Sequence, residues 1–202
     1  AFYLDKQMIN GKQLKAISAF IKKDGSGSTG GLTINFDKSE IFAYNGSNAV
    51  LVELVGGLEG KGQTIVPLEV VLSAIVLIGD GNVTATREDF CGIPFEPPMV
   101  NDFLIKDYRS IFVPEDIRKP GRPGLYTSAS VKLLEGLDKV FPGLSEFVLP
   151  TSPNKPLILE IGQSEKEIDD DETPTEIVKA AIMPRSDPPL KNTWDGLPQK
   201  SS

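Results

Sequence analysis

The sequence contains no histidine among its 202 residues. That removes the commonest general base and the commonest zinc ligand. Cysteine is nearly absent too: Cys91 stands alone, so an intrachain disulfide and a C-x-x-C metal or redox site are both excluded. Between Phe90 and Gly92 it reads as a small buried apolar residue, with a reactive thiol as the alternative. Such sparing use of cysteine fits a reducing cytoplasm. No apolar run reaches the roughly 18–20 residues of a membrane span. The opening AFYLDKQMINGKQ lacks the basic and apolar regions of a signal peptide. No metal-ligand set and no nucleophile beside a base are apparent, so neither an enzyme nor a metal or cofactor is expected.

What is present suits a globular binding protein. Hydrophobic residues make up 40% of the chain, enough for packed cores in one large domain or two small ones. The formal net charge of −7 argues against a nucleic-acid binder, but it averages two opposite regions. Lys6 to Lys23 hold five lysines and no acid, whereas Glu160 to Glu176 hold an acidic block.

Taken in order, Phe2 to Ile9 reads as a strand. Asn10 is a plausible N-cap, and a helix is expected over Gly11 to Lys23, stopped by Asp24-Gly25-Ser26-Gly27-Ser28. Helical spacing puts Leu14, Ile17 and Ile21 on one face, with Lys12, Lys15, Lys22 and Lys23 gathered opposite. A solvated surface explains those lysines, but a face with no interspersed Glu also suits contact with phosphates. DGSGSTGG (Asp24 to Gly31) lacks P-loop spacing and reads as a flexible turn.

Strands are expected at Leu32 to Phe36, Ile41 to Ala43 and Asn48 to Leu54. The last two close on Tyr44-Asn45-Gly46-Ser47, where Asn-Gly tolerates the positive φ angles of a tight primed turn. A second unit repeats this order: a strand at Gly62 to Val66, and a helix begun at Pro67 and ended at Gly79-Asp80-Gly81. Strands follow at Asn82 to Thr86, around Phe90 and at Asp102 to Ile105. Its helix is apolar nearly all round and carries no lysine. It is either buried on more than one side or faces something else.

Lys106 to Gly124 has the proline, glycine and charge of a connector. Ser128 is a candidate N-cap for a third helix over Ala129 to Phe141. Val131, Leu134, Leu137, Val140 and Phe141 form its apolar side, with Lys132 and Lys139 opposite. Strands follow at Phe147 to Leu149, Leu157 to Ile161 and Ile177 to Met183. The Asp169-Asp170-Asp171-Glu172 loop lacks EF-hand spacing and reads as solvated rather than as a cation site. The segment from Asp187 on is a tail, with Trp194 either tucked onto the body or serving as a docking motif. Three units of strand, helix and strands thus follow one another.

Five stretches give this order a likeness. INGKQLKAISAFIKKD (Ile9 to Asp24) resembles the strand-to-helix opening of a clamp domain, and AYNGSNAVLV (Tyr44 to Val52) a motif close to A-T-D-G-H-R-L-A. TIVPLEVV (Thr64 to Val71), KDYRSIFVPE (Lys106 to Glu115) and VKAAIMPRS (Val178 to Ser186) resemble I-I-P-R-K, F-P-D-Y-R-R-V-I-P and V-V-M-P-M-R. Together they resemble the bacterial-type DNA sliding clamp, the β processivity subunit of replicative DNA polymerase, in a shortened form of the sort phages encode. The resemblance implies an α+β clamp fold with antiparallel sheets outside and helices lining a ring. It implies a clamp domain over residues 1–113 (two units), a shorter one over 114–186 (one unit), and a tail over 187–202. It places Lys12, Lys15, Lys22, Lys23, Lys132 and Lys139 toward double-stranded DNA, held without sequence preference. It also implies a hydrophobic pocket for DNA polymerase and clamp loader peptides, walled by Tyr44, Gly46, Ser47, Asn48, Ala49, Pro67, Val71, Ile182, Met183 and Pro184. Ser47-Asn48 replace the family's His-Arg, Ala49 its Leu and Leu68 its Arg, so any peptide preference differs. Three helical units per chain imply a homo-oligomeric ring of four copies, or of three with a degenerate fourth unit. The alternative is a decoy or regulator with the same fold that does not encircle DNA.

Overall fold

The computed structural model describes residues 9–54, 58–98, 108–112, 128–148, 155–162 and 176–184, with backbone alone at 128, 129 and 176. The expected strands at 2–8 and 102–105, the acidic loop and the Trp194 tail lie outside the described residues.

Helix α1 spans Gly11–Ser18. Its start follows from a capping box: the Gln13 N–H donates to Asn10 Oδ1 at 2.9 Å, and the Asn10 N–H donates to Gln13 Oε1 at 2.9 Å. Its end corrects the longer expectation. The Phe20 and Ile21 N–H groups turn back to Ile17 and Ser18, which buries both side chains in the core. Lys22 and Lys23 are therefore in the following turn and not on the helix. The loop beyond is tightly built: Lys22 N–H donates to Thr29 O, and a Cβ on Gly30 would stand 2.1 Å from Gly25 O.

Strands β1 (Gly31–Asn35), β2 (Glu40–Tyr44), β3 (Asn48–Leu54) and β4 (Gln63–Pro67) follow. Then come α2 (Leu68–Ile78), the two-residue strands β5 (Asp89–Phe90) and β6 (Ile93–Pro94), and a 3-10 turn at Tyr108–Phe112. The chain continues with α3 (Ser128–Asp138), β7 (Leu144–Val148), β8 (Leu157–Gly162) and β9 (Glu176–Ile182). Asn82 to Thr86 forms isolated bridges instead of the expected strand. Ser128 is the first residue of α3, one place inside its expected cap.

Seven strands form one antiparallel sheet in the order β4-β1-β2-β3-β9-β8-β7. It runs unbroken across the expected boundary at 113/114 because β3 and β9 pair over seven residues, from Asn48↔Ile182 to Leu54↔Glu176. Alternation then decides the faces. Leu32, Ile34, Ile41, Ala43, Val50, Val52, Leu159, Val178 and Ala180 join Leu14, Ile17, Val71, Leu134 and Leu137 in the main core, beneath the helices. Helix α1 sits in the middle, packed on α2 and on α3. On the opposite face, Phe42, Ala49, Leu51, Ile158 and Ala181 form a smaller cluster, covered by Tyr108 and Phe112 of the connector.

Candidate nucleic-acid interface and peptide-binding edge

The helix layer presents its lysines to solvent, with carboxylates among them. Lys12 and Lys15 project from α1 and Lys132 from α3, all exposed. Lys22 and Lys23 are exposed in the turn after α1, and Lys139 follows the last residue of α3. Lys12 lies 3.3 Å from Asp80, and Lys139 lies 2.6 Å from Glu135, whose carboxyl that bond holds below its ordinary pKa. Asp24, Glu69 and Asp138 are further exposed acids near these positions. Surface pairs of this kind are weak and screened, so phosphate oxygens can compete for the same lysines.

Of the two readings left open for α2, burial on more than one side is not what the structure shows. Val71 and Ala74 are buried, but Leu72, Val76 and Leu77 are 50%, 85% and 65% exposed. Leu134 and Leu137 of α3, and Phe141 just beyond its end, are buried as expected, whereas Val131 is 54% exposed.

At the hairpin tip, only Gly46 takes a positive φ (99°), so the turn lacks the two positive φ angles of type I′. Asn45 acts through its side chain instead, its Oδ1 accepting from the Ser47 and Asn48 N–H groups at 3.0 and 2.8 Å. The tip meets the end of β9 directly: Asn48 pairs with Ile182, and the Met183 N–H donates to Ser47 O at 3.1 Å. Pro67 pairs with Gly31 on β1, while Tyr44, Ala49 and Ala181 form one row across β2, β3 and β9. Pro67 stands three strands from Ala49, roughly 14 Å. Gly46, Ser47 and Met183 are exposed, and Tyr44, Asn48, Pro67 and Pro184 half-buried. Ala49, Val71 and Ile182 are buried, with Tyr44 and Ala49 toward the connector side and Val71 and Ile182 in the helix-side core. The structure therefore brings Ser47 and Asn48 to Ile182 and Met183, and keeps Pro67 and Val71 further along the same end.

A polar cluster on the connector side has no counterpart in the sequence reading. The Glu40 carboxylate is fully buried, accepts from the Tyr108 hydroxyl and pairs with Arg109, which also reaches Glu53 at 3.7 Å. Asn35 Nδ2 donates to the Tyr108 oxygen at 3.1 Å, and Lys38 stands 5.8 Å above the Tyr108 ring. Burial raises the Tyr108 pKa, and the Glu53 charge raises it further against the Asn35 bond. One signal was available: an acid opening the apolar run Glu40-Ile41-Phe42-Ala43-Tyr44, and an arginine in the connector to answer it.

No protein-family model matches the chain, and no curated protein matches it by sequence. Solved structures do match. The C. crescentus beta sliding clamp is similar with a TM-score of 0.52 and 14% identity, over 86% of this chain and 63% of that one. The Pseudomonas aeruginosa DNA polymerase sliding clamp gives 0.52 and 12%, over 92% and 68%. DNA polymerase III subunit beta from Borrelia burgdorferi gives 0.50 and 14%, over 92% and 66%. The fold is the sliding-clamp fold. At this identity the likeness concerns architecture, and the chain spans 63% of the first of these clamps. In the clamp fold of this chain, Tyr108 and Phe112 cover the sheet face opposite the helices, while Lys12, Lys15 and Lys132 lie on the helix side. Among the described residues, no helix is long and apolar enough to cross a membrane.

Proposed function

We propose that this chain is a sliding-clamp-type processivity factor, a binding protein and not an enzyme, in a shortened form of the sort phages encode. It acts in the cytoplasm, encircles duplex DNA as a homo-oligomeric ring and tethers a polymerase. The observation that carries this reading is the helix layer: α2, α1 and α3 cover one face of a clamp-fold sheet, and Lys12, Lys15 and Lys132 point away from it. Lys22, Lys23 and Lys139 flank the same layer. Phosphate contacts of that kind hold a duplex without reading its bases and weaken steeply with salt. The domain division at about residue 113 belongs to this reading, with the third unit as a half-size clamp domain. Partner peptides from a polymerase or loader would dock at the exposed end formed by Tyr44, Gly46, Ser47, Met183 and Pro184. Ala49, Val71 and Ile182 would support it from beneath. The test is topological. The protein is expected to remain on closed circular DNA and to slide from the same DNA once linearised; equal retention on both would refute encirclement.

A second reading is favoured by α2, whose exposed Leu72, Val76 and Leu77 are poor neighbours for phosphate. There the chain is a clamp-fold decoy or regulator that binds a replication protein without encircling DNA. Recovery of a host clamp or loader together with no retention on circles selects it.

A further inference from the structure

Among the described residues, the most exposed apolar surface is on α2, and no described element covers it. Leu72 and Val76 stand one turn apart with Leu77 beside them, and Val76 is 85% exposed. The other side of the helix is committed to the core through Val71, Ala74, Ile75 and Ile78. The polar groups along the strip do not relieve it. Ser73 turns its hydroxyl back to Glu69 O at 2.8 Å, and Asp80, beyond the helix, stands 3.3 Å from Lys12. Glu69 is exposed and makes no ion pair among the described residues. An apolar strip with an unanswered carboxylate at its first turn fits a segment that carries an apolar anchor and, ahead of it, a cation.

The chain carries such a segment after its last described residue. DPPLKNTWDGLPQKSS (Asp187 to Ser202) holds Trp194, the single tryptophan of the sequence, with Lys191 three residues before it. Its point of departure sets its reach. Pro184 follows β9, whose end at Ile182 pairs with Asn48. The order β4-β1-β2-β3-β9 puts Pro67, which leads into α2, at the same end of the sheet, four strand spacings or roughly 19 Å away. Val76 lies about 12 Å further along the helix. The ten residues from Pro184 to Trp194 span up to about 33 Å when extended, enough to set the indole over Val76. Pro188-Pro189 favours an extended chain over a helix. The spacing of charge and anchor then agrees. Lys191 precedes Trp194 by about 10 Å of extended chain, and Glu69 precedes Val76 by about 10 Å of helix.

We propose that the segment from Asp187 on folds back over α2 of the same chain, with Trp194 on the Leu72, Val76 and Leu77 strip and Lys191 against Glu69. The apolar face of α2 is then a covered face, and any partner or duplex that reaches α2 first displaces the tail. The contact belongs to the free chain and does not depend on DNA being encircled.

Tryptophan fluorescence of the full chain tests this, because Trp194 is the only indole and the emission reads its surroundings alone. Without DNA, wild-type emission is expected to the blue of N-acetyltryptophanamide, with acrylamide quenching several-fold weaker, unchanged by dilution through the micromolar range. V76K and L77K are each expected to move the emission to the red and restore quenching to that of the free amide. K191E should give a smaller shift in the same direction, and M183K, at the end of β9, none. Val76 and Leu77 are more than half exposed, so the fold should persist, as circular dichroism would establish. Should V76K fail to fold, L77K carries the test. A wild-type Trp194 that emits and is quenched like the free amide would overturn the proposal. So would shielding that the folded α2 variants leave intact, or that M183K abolishes equally. Shielding lost on dilution would place the cover on a second copy and overturn it as well. Failure to remain on circular DNA, with Trp194 shielded as described, would refute encirclement alone.

Discussion

The two faces of the central sheet are built on different physics. Under the helices, strands β1, β2, β3, β8 and β9 bury aliphatic side chains that need shape and no partner. On the connector side, a cluster that includes Phe42, Leu51 and Ile158 shares the sheet face with a fully buried carboxylate, Glu40, whose charge is tolerable only because Tyr108 and Arg109 answer it. The first face supplies most of the stability. The second ties the connector to one place on the sheet, across strands drawn from both ends of the chain. Non-directional burial thus holds the fold, and directional pairing fixes where Tyr108 and Arg109 sit on it.

Substitutions can sharpen that contrast. Phe20→Ala, at a fully buried ring beneath α1, should produce the largest loss, about 3–5 kcal/mol by chemical denaturation. Arg109→Met should cost roughly 2–3 kcal/mol by leaving the buried Glu40 carboxylate with Tyr108 but no cation. The decisive feature is the coupling: adding Glu40→Gln should recover part of that loss, whereas losses under the helices should add. Additive behaviour of the Glu40 and Arg109 substitutions would remove the distinction between the faces.

Tyr108 gives a pH signature. Its folded pKa lies above the ordinary 10.0, so folding holds its proton more firmly than the unfolded chain does. That contribution is fully present below pH 10 and is lost as pH rises through the higher folded pKa. Tyr108→Phe should therefore flatten the alkaline decline in stability above pH 10, measured by urea melts at stepped pH. The smallest effect should come from Lys38→Ala, about 0.5 kcal/mol from its exposed position over the Tyr108 ring.

The elements were legible wherever the code is local. Asn10 announces the start of α1, Pro67 the start of α2, and Gly79 its end. The end of α1 was not legible, because burial of Phe20 and Ile21 turns the chain before the glycine run is reached. That turn also removes Lys22 and Lys23 from the helix. In the hairpin, Asn-Gly marked the right place, but not that Asn45 keeps a negative φ and bonds the backbone with its side chain. At the proposed peptide edge, the sequence brought out Ser47 and Asn48, while their proximity to Ile182 and Met183 follows from pairing with β9.

Composition and local pattern by themselves determined the three helix-bearing units and the absence of histidine-based chemistry, and the resemblance they carry implied the α+β class. Tertiary structure alone decided that β9 returns to β3, a pairing of Asn48 with Ile182 across most of the chain. It also decided that Glu40 is buried and that α2 and the β7 edge keep exposed apolar side chains. Caps and turns are set by neighbours a few residues away, whereas strand partners and burial depend on which distant surfaces meet, and a single sequence carries no local mark of that.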